Sequence, residues 1–318
     1  METSGAAFAG LIGRCPAMER LKQDLTLFGA SDVRVHVFGE TGTGKEMVAK
    51  ALHAVSPRAR RPIVPVNAAG LTDELLLSEL FGHARGAFTG AVRDREGWVE
   101  RAEGGTLFID EVGDMSSLAQ VRLLRFLEDG EYQRLGETAT RRANVRVVSA
   151  TNVDVARRVR EGRFREDLWF RLKGERLHVP PLRERGDDVL LLARHFLRQQ
   201  AAERGIAPPV LSRAAEAALL RHAWPGNVRE LQHEMRRVCV RAVGRVADVE
   251  DLSPELQENA LRRGGTLREA VRRFETAFIL DALARHHGNV ARAAAELGIS
   301  RQALWARTRR RGIAAQEA

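Results

Sequence analysis

The sequence predicts an α/β fold, a mostly parallel sheet with helices on both faces, followed by a small helical lid and an all-α helix-turn-helix unit. Three observations predict it. Short β-rich runs alternate with helical patterns as far as Pro180 and Pro181; beyond them the apolar spacing is helical throughout; and Gly298 separates two short helical patterns near the C-terminal end. The 318 residues exceed one typical domain of about 100–200 residues. The expected organisation is a nucleotide-binding core over 1–182, a lid over 183–256, a polar glycine-containing linker over 257–265 and a DNA-binding unit over 266–318.

Val33–Phe38 alternates apolar and polar residues, and Gly39 to Lys45 and a helical pattern from Glu46 to about Val55 follow it. Ile63–Asn67, Thr106–Ile109, Val145–Ala150 and Leu177–Val179 read as further strands, with helices at Glu74–Leu80, Ser117–Asp129 and Val153–Glu161 between them. Two consecutive prolines then end the sheet, because neither can donate to a ladder. Asp187–Arg204, Ser212–His222 and Arg229–Val243 carry the helical spacing of the lid. A helix over Leu267–Arg285 and two shorter ones over Val290–Leu297 and Ser300–Arg310 complete the chain.

The chemistry concentrates at strand ends. Gly39-Glu40-Thr41-Gly42-Thr43-Gly44-Lys45 sits between a strand and a helix, where glycines let backbone N–H groups converge on phosphate oxygens and the helix N-terminus adds positive potential. Glu46 stands where such loops usually place the Ser or Thr that holds Mg²⁺, so metal contact must rest on other groups and water. Gly104-Gly-Thr-Leu-Phe-Ile-Asp110-Glu111 is an apolar strand ending in two carboxylates. Asp110 is expected to organise Mg²⁺ and its waters, and Glu111 to polarise the attacking water. Thr151 and Asn152 end another strand and are candidates to sense a γ-phosphate or hold that water. Asn67 ends a third and could hydrogen-bond Glu111. Asn and Thr at strand ends also often serve only to satisfy a turn.

Composition narrows the class. The net charge of +9 is uneven: from Leu261 onward 12 Arg face 5 acidic residues, a net of +7, leaving +2 for the first 260 residues. Concentrated arginine is the electrostatic footprint of a nucleic-acid partner. With only four Lys in the chain, codon bias would explain Arg over Lys, but not the scarcity of acid in this tail. Cys15 and Cys239 match neither a disulfide framework nor a metal-ligand spacing. No apolar run approaches the roughly 18 residues that span a bilayer, and Glu2 stands where a secretory signal has basic residues, so the cytoplasm is the expected location.

The tail reads as helix, glycine turn, helix. Ser300 is placed to cap the second helix, with Arg301 and Gln302 at its N-terminal end as base readers, Trp305 one turn on, and Arg307, Arg309, Arg310 and Arg311 as phosphate contacts. Leu267–Arg285 could supply a dimer face. Gly86-Ala87-Phe88-Thr89-Gly90-Ala91 has glycines flanking an apolar residue and a hydroxyl, a loop suited to docking on a partner.

That six-residue loop, preceded by Leu80-Phe-Gly-His83, closely resembles the central domain of bacterial sigma-54-dependent activators, the enhancer-binding branch of the P-loop AAA+ ATPases. Phe164-Arg-Glu-Asp-Leu168, Arg171-Leu172, Pro180-Pro-Leu-Arg-Glu-Arg185 and Trp224-Pro-Gly-Asn-Val-Arg-Glu-Leu231 extend the resemblance from about Leu11 to Leu256, and the tail is similar to the Fis-type helix-turn-helix. Trp305 and Ala303 stand where that type more often has Tyr and Thr. The resemblance implies a hexameric ring with ATP between neighbours. Arg165 and Arg171 match the arginines that reach into the adjacent site, Arg229 matches the second sensor, and Asn67, Thr151 and Asn152 match positions that report the γ-phosphate. It also implies that Gly86–Ala91 grips the sigma-54 subunit of RNA polymerase while the tail holds enhancer DNA. The family commonly carries a sensing domain ahead of the ATPase, whereas about ten residues precede it here, so a regulator acting in trans, expression level or a domain missing from this chain is expected to control it. Two other classes compete: a repressor or nucleoid-associated protein whose ATP only sets oligomeric state, and an unrelated remodelling ATPase such as a helicase loader.

Overall fold

The computed structural model describes residue 8, residues 10–263, 275, 278–283, 285, 286 and 288–310, with backbone alone for 259–263, 307, 309 and 310. It separates into two compact units, Met1–Ser253 and Pro254–Ala318. Among the described residues no helix is long and apolar enough to cross a membrane, and no cluster of His, Cys, Asp and Glu is arranged to hold a metal.

The first unit runs α1 (Pro16–Gly29), β1 (Val35–Phe38), α2 (Lys45–Ala54), β2 (Ile63–Asn67), α3 (Asp73–Phe81), α4 (Trp98–Arg101), β3 (Thr106–Asp110), α5 (Ser117–Asp129), the hairpin strands β4 (Glu131–Tyr132) and β5 (Arg141–Arg142), β6 (Arg146–Thr151), α6 (Val155–Arg160), α7 (Glu166–Leu172) and β7 (Glu175–His178). Three helices follow: α8 (Asp188–Arg204), α9 (Arg213–Arg221) and α10 (Asn227–Arg241). The main sheet is five-stranded and parallel in the order β2-β3-β6-β1-β7. Val35, Val37, Phe108, Val148 and Ala150 pack with α1 and α2 on one face, while Leu107, Ile109 and Val147 pack with α3, α5 and α7 on the other. Each large aliphatic side chain removed from water this way contributes about 1.5–3 kcal/mol, which is why the central strands read as apolar runs.

Local signals fix the helix starts. Ser116, Asp154 and Ser212 each accept the N–H three residues on, at 3.2, 3.1 and 3.0 Å, and so cap α5, α6 and α9. In the lid, Trp224 is fully buried and donates its indole N–H to the Leu219 carbonyl at 2.9 Å, locking α9 to the start of α10.

The structure departs from the sequence expectations in several places. α1, α4 and α7 are helices that the strand-helix alternation does not single out; α4 and α7 are too short for a clear 3.6-residue pattern. β4 and β5 are two residues each, below the length at which alternation is visible. β7 begins at Glu175, two residues before the apolar run, because Glu175 and Arg176 lie on an edge strand where charged side chains remain in water.

In the second unit α11 (Pro254–Arg263) replaces most of the expected linker 257–265: a proline in the first turn and good helix formers outweigh its polarity. Gly264 and Gly265 lie outside the described residues, as does most of the expected helix 267–285. The helix-turn-helix consists of helical residues 278–283, α12 (Val290–Glu296) and α13 (Arg301–Arg310), closed around Ile279, Ala282, Leu283, Val290, Ala293, Ala294 and Leu304.

Candidate functional site

Parallel order brings the C-terminal ends of β1, β3 and β6 side by side, and the chain leaves each of them into a chemically loaded turn. Phe38 pairs with Thr151 and Ile109 with Ser149, and the Gly39 N–H donates to the Thr151 carbonyl at 3.4 Å. The glycine loop, Asp110-Glu111 and Thr151-Asn152 are therefore neighbours. Such a crevice at the carboxyl ends of parallel strands is where α/β sheets bind ligands.

Within the loop, Gly42 and Gly44 adopt φ of 78° and 101°, a region closed to most side chains. Among the described residues no protein acceptor takes the N–H of either. Lys45, 6% exposed, opens α2 and donates to the Gly39 carbonyl at 3.3 Å and to Glu111 Oε1 at 3.4 Å. Glu111 is held in the left-handed region, φ 53° and ψ 40°, a strained setting for a non-glycine residue that turns its carboxylate back over the loop. Its Oε2 accepts the Asn152 N–H at 3.0 Å. The Asn152 amide in turn donates to Thr41 Oγ1 at 2.7 Å, tying the β6 end to the phosphate loop. Asp110 accepts the Glu111 N–H at 3.0 Å. Partial burial pushes its carboxyl up from the ordinary aspartate value, against the pull of Lys45.

Three expected residues have local partners here. The Asn67 side-chain amide oxygen accepts the Ala69 N–H at 2.9 Å and, among the described residues, makes no hydrogen bond to Glu111, because a two-residue Asx turn is the nearest partner once β2 ends. Thr151 Oγ1 similarly accepts the Val153 N–H at 3.2 Å. Glu46 is exposed and pairs with Lys50 one helical turn on, at 2.7 Å.

The lid meets the loop from outside. The Arg229 N–H donates to the Gly42 carbonyl at 3.2 Å, and its side chain is exposed with no ion pair among the described residues. Sequence reasoning missed three further contacts. Arg183 grips Glu40 at 2.8 and 2.6 Å, Asn227 donates to Glu40 and to the Thr41 carbonyl at 3.1 and 3.0 Å, and buried Arg185 donates to the Thr43 carbonyl at 2.9 Å. Glu40 and Arg183 are 143 residues apart, so no local pattern signals the pair.

Arg165 and Arg171 lie at the start and end of α7. Arg165 pairs with Asp167 at 2.6 Å and Arg171 with Glu128 at 3.6 Å, each arginine side chain about half exposed. The loop Gly86–Ala91 closes on itself, the Gly86 N–H donating to the Ala91 carbonyl at 2.8 Å and the Ala91 N–H to the Phe88 carbonyl at 3.0 Å, with both glycines at positive φ. The sequence suggests an apolar tip, but Phe88 is half-buried, its ring edge-on to His83 at 4.9 Å, and His83 bonds Ser78 at 2.7 Å. An exposed benzyl group costs more than one resting on a buried imidazole. Thr89 is left as the exposed side chain.

In the second unit, Asn289 caps α12 through bonds to the Ala291 and Arg292 N–H groups, both 3.1 Å, and Gly298 makes the turn at φ 66°. Ser300 accepts the Ala303 N–H at 3.2 Å and so caps α13. Arg301, Gln302 and Trp305 are exposed along that helix. Arg311 lies outside the described residues, as do the side chains of Arg307, Arg309 and Arg310.

Comparison with known proteins agrees with this geometry. Residues 11–178 match the Sigma-54 interaction domain, 183–267 the AAA+ ATPase lid domain and 270–310 the Fis family of bacterial regulatory proteins. The chain is 45% identical to the nitric oxide reductase transcription regulator NorR2 of Cupriavidus necator, over 95% of this chain and 63% of that protein. It is 44% identical to the transcriptional regulatory protein ZraR of Klebsiella oxytoca, over 97% of this chain and 70% of that one. NtrX of Brucella abortus, solved in complex with ADP, superposes with a TM-score of 0.72 at 35% identity, covering 95% of this chain and 68% of that one; it has also been solved with ATP. The chain thus spans a little under two thirds of the NorR2 length. With the loop, the paired carboxylates, the lid and the capped helix pair all present, the chain belongs to the family of sigma-54-dependent transcriptional regulators with an AAA+ core, an AAA+ lid and a Fis-type helix-turn-helix.

Proposed function

We propose that the protein is a sigma-54-dependent transcriptional activator, an ATPase that assembles as a hexameric ring on upstream enhancer DNA and remodels polymerase bearing sigma-54 so that the promoter opens. The observation that carries this reading is the convergence of a phosphate loop and an Asp-Glu pair in one unit that also presents the Gly86–Ala91 loop.

ATP phosphates would lie against the open N–H groups of the loop and Lys45. The residues fit Mg²⁺ in one respect: Asp110 is a half-buried carboxylate whose raised pKa a divalent cation would lower. When bound, the metal would supply charge neutralisation on the phosphates, and Asp110 would hold it or its waters. Glu111 orients and polarises the attacking water, and Lys45 holds its carboxylate until nucleotide competes for the ammonium group. Asn152, bonded to Thr41 and to Glu111, is placed to pass γ-phosphate occupancy between β6 and the loop. Thr151 and Asn67 complete the strand-end positions, and Arg229 couples lid angle to nucleotide state.

Arg165 and Arg171 would complete a neighbour's site. Exposed ion pairs such as theirs hold only weakly in water, so exchanging a carboxylate for a γ-phosphate costs little. In the second unit Arg301 and Gln302 would read base edges in the major groove, with Trp305 one turn on, Ser300 capping the helix, and Arg307, Arg309, Arg310 and Arg311 contacting phosphates. Arg301 has the chemistry to read guanine and Gln302 adenine. A regulator acting in trans and a location in the bacterial cytoplasm at the nucleoid belong to the same reading.

The intact docking loop distinguishes this reading from a repressor or an unrelated remodelling ATPase. Thr89→Ala removes one exposed hydroxyl and no packing. ATP turnover should stay within about twofold of wild type, surface substitutions costing little, while open-complex formation by polymerase bearing sigma-54 disappears. Equal loss of both activities would remove the loop from its assigned role.

A further inference from the structure

The glycine loop is held from its outer side by the lid and the segment entering it, one residue after another. The Glu40 carboxylate takes both guanidinium arms of Arg183 and the Asn227 amide; the Thr41 carbonyl takes the same amide; the Gly42 carbonyl takes the Arg229 N–H; the Thr43 carbonyl takes Arg185. These bonds orient peptide planes. Across a trans peptide the carbonyl of one residue and the N–H of the next point opposite ways. Anchoring the Thr41 and Thr43 carbonyls outward therefore turns the Gly42 and Gly44 N–H groups toward the phosphate side.

Asn227 has the features of a part made for this purpose. It is fully buried, sits at φ 54° although it is not glycine, and uses both ends of its amide: the oxygen accepts the Leu182 N–H at 2.8 Å while the nitrogen serves Glu40 and Thr41. It thereby ties together the phosphate loop, the segment entering the lid and the start of α10. The fit leaves no slack, since a methyl group on Gly42 would come within 2.4 Å of the Gly226 carbonyl. Arg183, followed by Asn227, holds the Glu40 carboxyl at about 2, so Glu40 is ionised at any physiological pH. An exposed ion pair alone contributes little. This one differs because it is bidentate and its carboxylate is also fixed by a buried amide.

We propose that Arg183 and Asn227 are positioning residues for the nucleotide reaction, forming with Glu40 a latch that shapes the phosphate cradle only while the lid is docked. The proposal rests on the nucleotide-binding reading given above. Neither residue is a catalytic group: Asn227 acts through the Thr41 peptide and the Glu40 carboxylate, and Arg183 through the Glu40 carboxylate alone. Lid movement would break the latch and unmake the cradle together, which couples lid angle to nucleotide release.

The test is ADP binding by titration calorimetry to wild type, Glu40→Gln, Arg183→Ala, Arg183→Lys and the Glu40→Gln/Arg183→Ala double variant, with ATP turnover and thermal unfolding measured alongside. Glu40→Gln keeps the Asn227 contact and removes only the charge pairing. Each of Glu40→Gln and Arg183→Ala should weaken ADP about tenfold, the scale of one lost charge-assisted pairing. The double variant should be no weaker than the poorer single, because both break one latch. Arg183→Lys should recover part of the loss, KM for ATP should rise more than kcat falls, and melting temperatures should stay put. ADP affinity within twofold of wild type in Arg183→Ala, or additive losses in the double variant, would overturn the latch. If wild type binds ADP and hydrolyses ATP while Arg183→Ala matches it, the latch alone fails; if wild type binds no nucleotide, the nucleotide reading fails and the latch with it.

Discussion

Glu111→Ala should bind ATP at least as well as wild type and hydrolyse it about 10²–10⁴-fold more slowly, the range a positioned general base supplies. The asymmetry follows from the geometry. The Glu111 carboxylate is 3.4 Å from the Lys45 ammonium and accepts the Asn152 N–H, so removing it frees Lys45 for phosphate while deleting the group proposed to orient water. Glu111 also occupies the left-handed region, where alanine is no better accommodated than glutamate, so the backbone should hold its place. Phosphate release against a titration with ATP checks both halves. Turnover near wild type would remove Glu111 from the chemistry, and loss of binding would make its role structural.

Arg171→Ala should be inactive alone, losing about 10³-fold or more in turnover, as arginine fingers do. Among the described residues the Arg171 guanidinium makes only an ion pair of 3.6 Å to Glu128 at half-exposed positions, too weak an engagement to explain such a loss by destabilisation. If its guanidinium works in the next subunit, mixing Arg171→Ala with Glu111→Ala in equal amounts restores intact sites. In a randomly mixed ring about a quarter of the interfaces receive Glu111 from one side and Arg171 from the other, as head-to-tail contacts require. Mixed samples should recover turnover that neither variant has alone. No recovery across mixing ratios would confine Arg171 to its own chain.

How much of this was legible in the sequence depends on the range over which each contact acts. Gly39 to Lys45 and Asp110-Glu111 are visible because a phosphate cradle and a strand-end acid pair are local patterns, and the strands that carry them are apolar runs. The caps at Ser116, Asp154, Ser212, Asn289 and Ser300 are local too. Asn67 has two readings in the sequence, a bond to Glu111 or a local turn, and the structure holds the turn two residues away. Phe88 misled: its partner His83 sits five residues earlier, but only the fold aims the two rings at each other. The segment after Leu256 looked like a linker because polarity is a weak guide where Pro254 starts a helix. The Glu40, Arg183 and Asn227 contacts were illegible, since they join residues more than 140 positions apart through charge and an amide that any surface could carry.

The central claim is that ATP hydrolysis in this chain opens DNA through sigma-54. It is tested most directly by measuring promoter melting with purified protein, enhancer-bearing DNA and polymerase carrying sigma-54 or, in parallel, another sigma factor. Single-stranded promoter DNA should form with sigma-54 only, only with hydrolysable ATP, and not with Thr89→Ala. Melting that proceeds equally with another sigma factor, or with an ATP analogue that cannot be cleaved, would contradict the claim.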